Sequence, residues 1–157
     1  MIVYLVQHGE ALSSEQDPLR PLSDKGMADV RRMADYLKAH AGVSVHEVLH
    51  SGKERSEQTA VVLAEALNAP LGADHHLKPG DDPDWWAQHL KTRQKHVMLV
   101  GHLPHLERLA DLLLAGKDGL SLVNFRNAGV VCLQRNGDGV WQLGWILTPA
   151  ILPAAKP

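Results

Sequence analysis

The sequence predicts an α/β protein, a three-layer α/β/α sandwich with a mostly parallel central sheet. Three observations lead there. Short runs of strand-forming aliphatic residues alternate with longer segments whose apolar residues recur at helical spacing. The first run, at 2 to 6, is apolar at consecutive positions, as strands covered on both faces are. The series then closes on two strand-like runs that flank the turn-forming stretch Asn136 to Gly139.

"IVYLV" at 2 to 6 reads as a central parallel strand. In "LSDKG", Ser23 is placed to cap a helix that carries Met27, Val30, Met33, Ala34 and Leu37 at helical spacing and stops at Gly42. "VHEVLHS" gives a second strand. "ERSEQTAVVLAEAL" gives a second helix, with an apolar stripe expected through Val61, Val62 and Leu67. A Pro-Gly break and an acidic loop precede a short amphipathic helix that should bury at least one of Trp85 and Trp86. "HVMLVGH" is a further buried strand, and Pro104 suits the first turn of a helix through "LERLADLLLAG". "NAGVVCLQRNGDGVWQLGWIL" is a β-hairpin at the end of the sheet. One domain over 1–149 is expected, followed by a frayed tail over 150–157 that offers no periodic apolar face.

With 157 residues, 45% of them hydrophobic, the chain can bury one real core but hardly two. A formal charge of -2 supplies no broad basic field for nucleic acid, so any anion must be caught by a few placed cations. The single cysteine, Cys132, lies among strand-type residues and reads as a small buried apolar group. No stretch is long and apolar enough to span a bilayer, and Met1 leads directly into a strand rather than a cleavable leader. The expectation is a soluble, cytoplasmic protein without nucleic-acid or membrane partners.

In open α/β sheets, ligands bind where strands end and loops lead into helix N-termini that favour anions. One such end carries Gln7, His8, Gly9 and Glu10, another leads through Ser51 to Arg55, and a third delivers Gly101 and His102. His8 is a nucleophile, a metal ligand or a polar residue that marks a strand end; Gly9 would let the chain turn and a ligand approach. An imidazole whose other N–H is held by a carbonyl is a usable nucleophile towards phosphorus. His102 repeats the strand-Gly-His pattern. The spacing of His102 and His105 suggests a metal pair, but Pro104 intervenes and no carboxylate or cysteine set completes it, so no metal and no cofactor are expected. Arg55 opens a helix, where a cation is unfavourable unless an anion lies in the crevice.

Taken together and in order, "VQHGEA", "LRPLSDKG", "SGKERSEQTA" and "VGHLPH" resemble the motifs of the histidine phosphatase superfamily, the phosphoglycerate mutase-like proteins. More narrowly, they resemble its short branch, the SixA-type phosphohistidine phosphatases. The resemblance runs from residue 2 to about 110, and the closing hairpin suits that fold. It implies that His8 accepts a phosphoryl group and that Arg55 and His102 are catalytic and bind phosphate. It adds Arg20 in "LRPL" as a further phosphate-facing cation, with His102 protonated. Charge on a transferred phosphoryl group spreads over its equatorial oxygens, so such cations supply most of the catalysis.

The family motif is Arg-His-Gly, whereas Gln7 precedes His8 here. Glutamine can bind a phosphate oxygen with a neutral hydrogen bond but brings no charged fork. Losing one donor of this class costs about 10²–10³ in turnover elsewhere. Glu10, Asp81 and Asp82 are the candidates for a general acid. The implied activity is a cofactor-independent phosphatase acting on phosphohistidine in a protein or on a small phosphorylated molecule, with inorganic phosphate as product. The alternative is a non-catalytic phosphate-binding or regulatory module of the same fold, weakened by Gln7.

Overall fold

The computed structural model describes residues 1–40 and 42–154. Strands β1 (Ile2–Gln7), β2 (Glu47–His50), β3 (Leu71–Ala73), β4 (Val97–Gly101), β5 (Val130–Arg135) and β6 (Trp141–Leu147) form one sheet in the order β3-β2-β4-β1-β5-β6. The pairings of β3 with β2, β2 with β4 and β4 with β1 are parallel, while β5 pairs antiparallel with both β1 and β6. The sheet is therefore mixed, and β5 alone runs against the rest.

Alternation along β1 assigns the two layers of helices. Val3 and Leu5 face the cluster built by α3 (Asp84–Thr92) and α4 (His105–Ala115), with Leu90, Leu106 and Leu109 at its centre. Tyr4 and Val6 face α1 (Asp24–His40) and α2 (Glu54–Leu67) through Met33, Leu37 and Leu63. Every residue of β4 is buried, which is what a strand covered on both faces requires. Cys132 is buried and free. Among the described residues, no helix is long and apolar enough to cross a membrane.

Ser23 caps α1 as its sequence suggested: its Oγ accepts the Gly26 N–H at 3.0 Å. Trp86 is buried in α3, and Asn136 closes the hairpin by accepting the N–H groups of Asp138 and Val140 on its side-chain oxygen. Four expectations need correction. The buried face of α2 is Ser56, Thr59, Ala60, Leu63 and Ala64, whereas Val61, Val62 and Leu67 are only half-buried. A helix whose first turns serve a polar site buries small and hydroxylated residues there, so counting large aliphatics misplaces its inner face. Edge strand β3 was missed because three residues carry too little periodicity to register. Pro104 lies at the N-cap of α4 rather than inside it.

The tail also departs from its expected fraying. Pro149–Ile151 form a 3₁₀ turn, and Leu152 is buried in the α1–α2 cluster. Arg32 donates to the carbonyls of Pro149, Leu152 and Pro153 at 3.1–3.3 Å, so one long side chain of α1 anchors a segment that has no pattern of its own. The final part of the expected tail, 155–157, lies outside the described residues.

Candidate active site

The site is assembled where β1, β2 and β4 end side by side. The His8 N–H donates to the Gly101 carbonyl at 3.1 Å, which locks the end of β1 to the end of β4. Gly9 follows, and its tolerance is steric rather than conformational: a Cβ there would meet Val30 Cγ2 at 2.8 Å and Leu22 Cδ2 at 3.1 Å. A Cβ on Gly26 would run into the Glu10 carbonyl. The two glycines let α1 lie directly on the turn that carries His8. The Gly9 N–H is held by Thr59 Oγ1 at 3.0 Å, so α2 grips the same turn from the other side.

Gln7, His8, Arg20, Arg55 and His102, named separately from sequence, line one pocket of about 510 Å³ together with Glu10, Ala11, Pro79, Leu103 and Asn127. Arg20 reaches it from a loop closed by the bridge between Ala11 and Leu22. Its backbone is left-handed, with φ of 50°, and its Nε donates to the Leu12 carbonyl at 3.1 Å. Arg55, in the first turn of α2, donates from Nε to His8 Nε2 at 3.3 Å.

His8 Nδ1 lies 2.7 Å from the Gly9 carbonyl. A carbonyl only accepts, so Nδ1 carries the proton and Nε2 presents its lone pair. Burial, opposed by that carbonyl and reinforced by Arg55 and Arg20, lowers the His8 pKa from 6.5 to about 4. The ring is thus neutral near pH 7. His102, 4.9 Å away between ring centroids, is lowered to about 3 by burial and then by His8, Arg55, Lys53 and His105. Without an anion His102 is thus held towards its neutral form, and an arriving negative charge would favour the protonated form that the resemblance implies.

The surroundings of Gln7 are informative. Its Oε1 is buried and has no hydrogen-bond partner among the described residues, an unusual state for a polar atom beside a pocket lined by cations. The candidates for a general acid separate in space. Glu10 lines the pocket and is bound by Ser23 Oγ at 2.8 Å, whereas Asp81 and Asp82 line a different hollow with His76 and Trp85. His105 is fully buried with neither ring nitrogen bonded, and among the described residues no group of three or more metal-ligating side chains is found.

Sequence reasoning placed Ser51 at the strand end without giving it a role, and missed Ser56, Thr59 and Asn127. Asn127 Nδ2 donates to the His8 carbonyl at 3.1 Å, and Ser51 Oγ touches His102 Nε2 at 2.6 Å. The available signal was the hydroxyl spacing in "SGKERSEQTA", which puts Ser56 and Thr59 on the inner face of α2.

The family model for the histidine phosphatase superfamily (branch 1) matches residues 3–85. The chain is also 30% identical over 163 residues to the phosphohistidine phosphatase SixA of Escherichia coli strain K12, covering 99% of both sequences. The chain belongs to the histidine phosphatase superfamily. Its structure superposes on that of the protein histidine phosphatase SixA complexed with tungstate with a TM-score of 0.81, at 26% identity over 96% of this chain and 98% of that one. The alpha-ribazole phosphatase of Shigella flexneri shares the fold at a TM-score of 0.73 and 16% identity, with 98% of this chain and all of that chain covered. The histidine phosphatase fold and membership of a hydrolase family are thereby established, and the likeness to SixA extends over the closing hairpin as well as the ordered motifs.

Proposed function

We propose that this histidine phosphatase hydrolyses phosphohistidine in a protein, or the phosphoryl group of a small molecule, through a phosphohistidine intermediate at His8. The observation that carries this reading is the tautomer of His8: Nδ1 is tied to the Gly9 carbonyl, which leaves the Nε2 lone pair at the pocket beside Arg55. Nε2 attacks phosphorus, and Arg55, Arg20 and Gln7 hold the phosphoryl oxygens together with His102, which carries a proton once the anion's charge is present. Water then cleaves the Nε2–P bond and releases inorganic phosphate.

The phosphohistidine substrate is supported by the full-length similarity to SixA and by the chemistry of the leaving group, a labile P–N bond that places little demand on a general acid. That the similar SixA structure is a complex with tungstate, an oxyanion, supports anion binding by this fold. The reading takes the chain as one catalytic domain in the cytoplasm whose core reaches past 149 to Leu152, with no nucleic-acid or membrane partner. Acid-stable and acid-labile phosphate on the protein after brief reaction with a phosphohistidine-bearing protein distinguishes the mechanism. An acid-labile label on the wild-type protein that is missing from His8→Ala is expected, and a label retained by that variant would remove the nucleophile assignment.

A second reading, a phosphate-binding or regulatory module without turnover, is favoured by Gln7 alone, which stands where the family motif has arginine and whose buried amide oxygen has no partner among the described residues. Turnover seen only in Gln7→Arg would establish it.

A further inference from the structure

His102 is held by a chain of hydroxyl groups. Ser56 Oγ donates to the Lys53 carbonyl at 3.1 Å and accepts the Ser51 N–H at 3.2 Å. With that proton on the Lys53 carbonyl, Ser56 Oγ accepts across the 2.7 Å contact with Ser51 Oγ, where either oxygen can donate. The Ser51 hydroxyl therefore donates to Ser56, while its oxygen also receives the Lys53 N–H at 3.3 Å. In that arrangement the 2.6 Å contact between Ser51 Oγ and His102 Nε2 has the ring nitrogen as donor.

All three side chains are almost fully buried, so water does not compete for these bonds. The other nitrogen of the ring, Nδ1, is buried and has no hydrogen-bond partner among the described residues. The charged or titratable groups that face the ring are His8 from the β1 end, Lys53 and Arg55 from the start of α2, and His105 from α4; each disfavours a proton on it.

We propose that Ser51, held in turn by Ser56, is a positioning residue that keeps His102 in the Nε2–H tautomer and so directs the proton His102 gains with a phosphoryl group to Nδ1. The use of that proton rests on the phosphatase reading above, whereas the tautomer does not. A substrate phosphoryl group carrying one proton passes it to Nδ1. His8 Nε2 bonds to phosphorus, the substrate P–N bond breaks, and its electron pair stays on the leaving imidazole, which takes the proton from Nδ1. In the second step a water oxygen bonds to phosphorus and the Nε2–P pair returns to His8. One water proton passes through Nδ1 to a phosphate oxygen, leaving dihydrogen phosphate and both histidines neutral.

The test is ¹⁵N NMR of the histidine rings in the full chain at pH 7, with His102 assigned by comparison with His102→Gln. The wild-type protein should show a protonated Nε2 and a bare Nδ1. In Ser56→Ala the Ser51 hydroxyl regains freedom to donate to Nε2, and the Nδ1–H tautomer should rise to at least about a tenth of the population. Ser51→Ala should give a mixture as well. Inorganic phosphate added to the wild-type protein should protonate Nδ1 and raise the pH midpoint of His102 by at least about one unit. A wild-type His102 in the Nδ1–H form, or a pure Nε2–H form that persists in both serine variants, overturns the positioning role. Phosphate that binds while Nδ1 stays bare overturns the proton route. Failure of phosphate to bind at all would count against the phosphatase reading, and the tautomer measurement would still decide the role of Ser51.

Discussion

Arg55 Nε donates to His8 Nε2 at 3.3 Å, so the cation at the start of α2 touches the very lone pair that would attack phosphorus. Burial and Arg20 lower the pKa of this guanidinium, which marks a site that concentrates positive charge before any anion arrives. An incoming phosphoryl group would draw the fork to its oxygens and free the lone pair. Arg55→Lys is expected to lower kcat/KM by about 10²-fold or more, because a point charge cannot clamp two oxygens. Steady-state kinetics on a phosphohistidine substrate measure it, and a loss below about threefold would mean that Arg55 serves the fold rather than the reaction.

His8→Ala is expected to abolish turnover with little loss of stability. The backbone of His8, not its side chain, makes the bond to Gly101 that ties β1 to β4. Circular dichroism and a thermal melt should match those of the wild-type protein while phosphate release disappears.

Gln7→Arg is expected to tighten phosphate binding by about 1.5–3 kcal/mol, through a charge-assisted contact added where a buried amide oxygen now has no partner. Calorimetric titration with phosphate reads this directly. Unchanged or weaker affinity in a folded variant would show that Arg20 already fills the place of the motif arginine.

Stability should fall in mild acid. His8 is lowered to about 4 and His102 to about 3, each mainly by burial, and His50, His96 and His105 are lowered in the same sense. The unfolded chain binds these protons below about pH 6.5 while the folded chain does not, so this contribution is complete above pH 6.5 and is lost as pH falls towards 4 and then 3. At pH 5 the loss should be about 1 kcal/mol or more for each of His8 and His102. Urea denaturation at pH 7.5, 6 and 5 checks this, and an unchanged midpoint across that range would contradict it. Saturating phosphate should soften the fall by favouring protonated His102.

Asp111 offers a test of the scaffold away from the site. The side chain is nearly inaccessible, and its carboxylate accepts the N–H groups of Leu120, Ser121 and Leu122 at 2.7–3.0 Å. Burial alone would raise its pKa, but these bonds and one from Gly119 hold it below the usual carboxylate range. Asp111→Ala leaves several donors unpaired and should cost about 2–4 kcal/mol in denaturant unfolding, without changing phosphate affinity.

The sequence alone determined the layers and the corners. Consecutive apolar residues in β1 and β4, helical spacing in α1, and glycine next to His8 and His102 are local signals, because burial on both faces and the end of a strand are written into neighbouring residues. The resemblance of ordered motifs extended that reading to Arg20, an ordinary loop cation by its own chemistry. Tertiary structure decided what depends on residues distant in the chain. It placed Asp81 and Asp82 outside the pocket, made His102 neutral through burial and surrounding cations, and recruited Leu152 into the core through Arg32. It also aligned Ser51, Ser56 and His102 in one line of hydrogen bonds. The Ser51 hydroxyl meets the His102 ring across 51 residues of chain, a contact supplied by packing and not by spacing along the sequence.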